Sequence, residues 1–172
     1  MAGLEDLYRE IILDHYRAPR NRGELPVPPA HRVEGFNPLC GDEVILYLEV
    51  DDGVVTDVRT AGQGCSISQA STSMMSAAIK AKTVEEARGV IRAFTALMSI
   101  HESHLAESGL AESGLEGSGE GSVTDGSEGS SELEGARLGD LEALQGVVKF
   151  PVRIKCALLA WTTLQQGLDE AT

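Results

Sequence analysis

Three cysteines and one aspartate are the residues of this chain best suited to chemistry. Cys40 and Asp42 share the string Asn37-Pro38-Leu39-Cys40-Gly41-Asp42, Cys65 follows Gly62-Gln63-Gly64, and Cys156 stands in Arg153-Ile154-Lys155-Cys156. An odd number of cysteines fits a disulfide framework poorly, so they are inert core residues, metal ligands or reactive thiols. As metal ligands, three thiolates and a carboxylate would make the four donors that tetrahedral Zn²⁺ prefers. Soft sulfur donors argue against Mg²⁺ and Ca²⁺. Zinc with these donors would carry a net charge of about −2, which Arg153 and Lys155 could partly offset. The spacing alone is no zinc signature, because the chain has no Cys-x-x-Cys pair.

The elements that must position these residues can be read from periodicity. Leu4, Leu7 and Ile11 share a helical face, predicting an amphipathic helix from Leu4 to Tyr16 that stops before Pro19. Val44–Val50 and Val54–Thr60 flank Asp51-Asp52-Gly53, a hairpin signature. A third strand is expected near Arg32 to Phe36. Ser66 to Ala81 reads as a helix with Met74, Met75, Ala78 and Ile79 on its apolar side. Thr83 with Glu85-Glu86 opens another, through about Ser99. Pro151 begins a last helix carrying Ile154, Leu158, Trp161 and Leu164. The cysteines thus fall at element ends: Cys40 before the first hairpin strand, Cys65 and Cys156 near helix starts, where backbone N–H groups and the helix dipole favour thiolate. The fold class is α+β, a small antiparallel sheet of about three strands against several helices.

Residues 106–136 differ from the rest. They hold Gly, Ser and Glu, repeat Ala-Glu-Ser-Gly-Leu back to back, and contain eight acidic residues and no basic one. Such a segment buries too little apolar surface to offset its ordering entropy, so a disordered acidic insertion is expected. One domain, residues 1–105 and 137–172, would then be interrupted by residues 106–136. The insertion carries eight of the formal −13 charges and leaves −5 on the remainder. The acidic balance argues against nucleic acid or an anionic membrane as partner. No apolar signal run opens the chain and no stretch reaches about 18 continuous apolar residues, so a cytoplasmic location with reduced thiols is expected.

Other chemical readings are weaker. His101 and His104 could chelate at i, i+3 but read as a solvated helix end. His15 reads as structural. Ser66, Ser68, Ser71 and Ser73 lack a nucleophile elbow and read as capping and lining a helix. Gly62-Gln63-Gly64 lacks the rest of a phosphate-binding loop. Met74 and Met75 read as core. Arg17, Arg20 and Arg22 form a basic cluster, either a solvated end or a docking patch.

Four strings together resemble the SufU branch of the IscU-like family. They are Leu13-Asp14-His15-Tyr16 with Pro19-Arg20-Asn21-Arg22-Gly23, Asn37 to Asp42, Gly62-Gln63-Gly64-Cys65-Ser66-Ile67-Ser68-Gln69-Ala70-Ser71, and Arg153 to Trp161. The resemblance covers nearly everything outside the acidic insertion. It implies a small IscU-like domain in which Cys40, Asp42, Cys65 and Cys156 bind zinc. It also implies that Cys40 accepts sulfur from a SufS-type cysteine desulfurase for downstream iron–sulfur assembly machinery. IscU-type scaffolds carry histidine directly before the last cysteine, where this chain has Lys155, and SufU-type proteins carry an insertion between the second and third cysteines. A scaffold holding a [2Fe–2S] cluster on the same ligands, or a structural zinc domain that only binds partners, are the alternatives.

Overall fold

In a computed structural model the chain is described over residues 3–108 and 138–172. The expected α+β architecture is present. Helix α1 (Leu4–Arg17) leads to strands β1 (His31–Asn37), β2 (Asp42–Asp51) and β3 (Val54–Gln63), then helices α2 (Ser66–Ile79) and α3 (Val84–Ser108), a 3₁₀ segment (Gly139–Lys149) and α4 (Pro151–Ala171). The strands form one antiparallel sheet in the order β1-β2-β3. Asp52 and Gly53 both take positive φ, 50° and 73°, so the β2–β3 turn has the backbone twist that two-residue hairpins favour.

Helix α4 crosses β1 and β2, while α2 packs on α4, α1 and β3. Val44, Leu46 and Leu48 of β2, Met74, Met75 and Ile79 of α2, and Ala160, Trp161, Leu164 and Leu168 of α4 form the centre of the core. With so few aromatics, one pair does much of the filling: Phe94 of α3 stacks on Trp161 with centroids 4.5 Å apart. The Trp161 indole N–H donates to Ser71 Oγ at 3.0 Å, and that hydroxyl donates to the Ala157 carbonyl at 2.6 Å. This buried chain of bonds fixes α2 against α4, the two helices that carry Cys65 and Cys156.

His15 is structural, as expected. It is buried, with Nδ1 2.8 Å from Ser73 Oγ and Nε2 2.8 Å from Asp140 Oδ2, joining α1 to α2 and the 3₁₀ segment. The serine run of α2 lines the helix interior, with Ser68, Ser71, Ser73 and Ser76 all buried. Arg20 pairs with Asp14 at 2.6 Å, and Arg22 donates to the Gly62 carbonyl at 2.9 Å, so two of the three clustered arginines tie the connector after α1 to its neighbours.

One helix end differs from the sequence reading. Helix α3 continues past Ser99, through His101 and His104, to Ser108, and so runs three residues into the segment expected to be an insertion. Alanine, glutamate and leucine are good helix formers, and a helix already nucleated propagates through them. The rest of the acidic insertion lies outside the described residues. Among the described residues no helix is long and apolar enough to cross a membrane.

Candidate metal centre

The β1–β2 connection carries the first two candidate ligands. The Asn37 carbonyl accepts the Gly41 N–H at 2.8 Å, and its side-chain Oδ1 accepts the Leu39 N–H at 3.1 Å. Gly41 takes φ 68°, a left-handed conformation that costs glycine little, and lets the chain reverse so that Asp42 pairs with Asn37. Cys40 therefore sits on a tight turn, half-buried, beside the exposed Leu39.

Asp42 begins β2 and is fully buried. Its Oδ1 accepts the Cys65 backbone N–H at 2.9 Å, and its Oδ2 lies 3.8 Å from Cys65 Sγ. Gly64 permits this approach, since a Cβ there would stand 2.5 Å from Asp42 Oδ1. Cys65 is the N-cap of α2, and its sulfur accepts the Ser68 N–H at 3.5 Å, as the helix-start expectation required.

Cys156 departs from that expectation. Six residues into α4, it lies beyond the free N–H groups of the first turn, and its sulfur is 3.8 Å from the Val152 carbonyl one turn back. The helix begins at Pro151, as expected, and that start leaves Cys156 more than one turn inside it. Cys156 is fully buried and its Sγ stands 3.2 Å from Cys40 Sγ. Burial first, then the hydrogen bonds with Cys40 and Asp42, push its thiol well above the ordinary cysteine range. A bound cation reverses that preference, because a coordinating thiol loses its proton.

The ligand atoms of Cys40, Asp42 and Cys156 all lie within 4.8 Å of one another. Cys65 is outside this compact triad but reaches it through Asp42. Zn–S bonds of about 2.3 Å put two sulfurs of a tetrahedral site about 3.8 Å apart. The Cys40 and Cys156 sulfurs, 3.2 Å apart, are about 0.6 Å closer than that, and the 3.8 Å from Cys65 Sγ to Asp42 Oδ2 is near the roughly 3.6 Å expected of a sulfur and an oxygen donor. The triad, with Cys65 beside it, has the donor chemistry of a sulfur-rich metal site.

Charge around the site comes from Arg153 rather than Lys155. The guanidinium is held above its ordinary range by the charge of Cys65 first, then by hydrogen bonding and charge at Cys156. A groove of about 740 Å³ opens on this side, walled by Tyr8, Ile12, Cys65, Phe150 and Arg153. Sequence reasoning missed the supporting role of Ser71, which nothing local marked, whereas the paired glycines before Cys65 were the signal for that of Gly64.

Comparison with known proteins supplies the context. Residues 7–118 match the family model described as the NifU-like N-terminal domain. The chain is 40% identical over 167 residues to the zinc-dependent sulfurtransferase SufU of Bacillus subtilis, covering 97% of this chain and 92% of that one. It is 32% identical over 171 residues to the iron–sulfur cluster assembly scaffold protein IscU of Streptococcus pyogenes, covering 99% and 88%. A solved structure from Fervidobacterium islandicum, a candidate iron–sulfur cluster assembly scaffold for the SUF system, superposes with a TM-score of 0.68 at 30% identity over 96% of this chain and 99% of that one.

Proposed function

This chain belongs to the NifU-like N-terminal domain family, and from that premise we propose that it is a zinc-dependent sulfurtransferase of iron–sulfur cluster assembly. In this reading Cys40, Asp42, Cys65 and Cys156 hold the metal, and Cys40 takes persulfide sulfur from a cysteine desulfurase. The observation that carries it is the convergence of Cys40, Asp42 and Cys156 within 4.8 Å, with Cys65 bonded to Asp42 through its backbone. The 40% identity to a zinc-dependent sulfurtransferase supports the same reading. Bound zinc would keep these thiols deprotonated at neutral pH.

Each donor has a distinct part. Asp42 is pinned by Cys65, Cys65 by its helix cap, and Cys156 by burial inside α4. Cys40 alone rides on a turn with a glycine hinge, so it is the thiol able to leave the cluster and meet a partner. Its thiolate attacks the outer sulfur of the desulfurase persulfide. A sulfur–sulfur bond forms on Cys40, the old one breaks, and the desulfurase cysteine departs as thiolate. Phe36, Leu39, Phe150 and Val152 are all more than 60% exposed and flank the ligand-bearing segments, which supports a protein partner at this face. Arg153 would help balance the negative charge gathered there.

Metal analysis tests the ligand set: Cys65→Ala and Cys156→Ala should each lose zinc, and full retention by both would remove the assignment. The 32% identity to an IscU scaffold protein favours a second reading, a [2Fe–2S] scaffold on the same donors. Protein purified without oxygen separates them, since colourless protein with one zinc supports sulfur transfer and a brown product supports the scaffold.

A further inference from the structure

Among the described residues only two buried side-chain polar atoms have no hydrogen-bond partner, Asn37 Nδ2 and Ser68 Oγ. Both belong to residues close in sequence to the candidate ligands. Leaving a buried amide donor unpaired is costly, and native proteins rarely do so without reason. Asn37 is the more informative of the two. It is 7% exposed, and its carboxamide oxygen already accepts the Leu39 N–H. That bond fixes which end of the amide is nitrogen. Its backbone carbonyl holds the Gly41 N–H, and its strand register partner is Asp42. The amide is thus tied by its oxygen to the turn that carries Cys40, and its donor end is buried and unused.

We propose that the Asn37 side-chain NH₂ is the donor that receives the sulfur taken up by Cys40, an inference that rests on the sulfur-transfer reading above. Uptake lengthens the Cys40 side chain by one S–S bond of about 2 Å. The added terminal sulfur stands that much further from the Cys40 backbone than Sγ does. Its negative charge needs a donor, and a hydrogen bond to a charged acceptor is roughly twice as strong as one between neutral groups. Asn37 supplies that bond without turning its amide, because its oxygen end and its backbone are already committed; the Cys40 turn itself must open to admit the sulfur, since the buried nitrogen has no free space beside it. The residue therefore favours the loaded state of Cys40 over the unloaded one. The chemistry is the thiolate–persulfide exchange already given, with no further atom or electron required.

The test uses the full zinc-loaded chain with a cysteine desulfurase and cysteine. Asn37→Asp retains the acceptor for the Leu39 N–H and replaces the donor with a carboxylate. Its kcat for sulfur uptake should fall tenfold or more, by more than any loss of zinc or Tm accounts for, while KM for the desulfurase stays close to wild type. In the wild-type chain, ¹⁵N-resolved NMR should show an Asn37 side-chain amide proton moving downfield once mass spectrometry finds the sulfur on Cys40. An unchanged kcat in Asn37→Asp overturns the proposal, and so does a fall in kcat that merely tracks lost zinc or Tm. An amide resonance that stays in place while Cys40 is loaded overturns it without any variant. If no sulfur reaches Cys40 at all, the underlying transfer reading fails first and the proposal with it.

Discussion

Replacing Gly64 with alanine should uncouple the aspartate from the cluster. The new Cβ would stand 2.5 Å from Asp42 Oδ1 and 3.1 Å from Asp42 Cβ and Cγ. Ordinary contact begins near 3.4 Å, so the carboxylate must retreat by roughly 1 Å. Asp42 is fully buried on the first residue of β2 and cannot swing into solvent. The bond that yields is the 2.9 Å contact from the Cys65 N–H to Oδ1. Loss of a hydrogen bond to a charged group costs about 1.5–3 kcal/mol. For a chain of this size that corresponds to a Tm lower by about 3–12 °C. Disturbing such a supporting bond typically weakens metal affinity by about 10–100-fold. Gly41→Ala is the control. Gly41 takes φ 68°, and an added methyl there would meet nothing within 4 Å, so alanine brings only backbone strain of about 1–2 kcal/mol. Competition with a chromophoric chelator measures zinc affinity, and calorimetry measures Tm. Zinc affinity of Gly64→Ala within about threefold of wild type, well short of the expected loss, or an equal loss in Gly41→Ala, would refute the reasoning.

Three further outcomes are expected. Ser71→Ala leaves the buried Trp161 N–H without its acceptor, so Tm should fall by about 3–10 °C, and a fall under about 1 °C would show that the α2–α4 link adds nothing. Hydrogen bonds from the Thr83 backbone and side chain hold Glu86 below the ordinary glutamate value, so its contribution is present above that value and lost as pH falls through the lowered one; the Tm difference between wild type and Glu86→Gln should shrink steadily as the solution is acidified through the carboxylate range, and a difference that persists undiminished would contradict the capping role. In metal-free protein one equivalent of hydrogen peroxide should join Cys40 to Cys156, two thiols giving one disulfide and two waters, with Cys65 left as the free thiol; a disulfide containing Cys65 would contradict the 3.2 Å pairing.

Features specified by neighbours in sequence were legible, and those specified across the fold were not. Asp52-Gly53 announces its turn because few residues accept positive φ, and Pro151 announces a helix start because it needs no N–H. The four candidate ligands stood out by residue type, and the glycines near Cys40 and Cys65 marked close turns. The end of α3 was illegible because Ala-Glu-Ser-Gly-Leu satisfies helix propensity and low hydrophobicity at once. Ser71 looked like any helix serine, since its partners Ala157 and Trp161 lie 86 and 90 residues away. Asn37 stood only as the first residue of the Cys40 string, and its unused donor becomes visible only when every buried polar atom is paired off. Cys156 was assigned to a helix start, although its position is set by packing of α4 against the sheet and by the Cys40 turn.

The most direct test of the account is to locate the transferred sulfur. Zinc-loaded protein is incubated with a cysteine desulfurase and cysteine, then digested under mild non-reducing conditions and analysed by mass spectrometry. The account predicts the mass of one additional sulfur on the peptide containing Cys40, and its absence from the Cys40→Ser protein. Sulfur on Cys65 or Cys156 with Cys40 unmodified would contradict it.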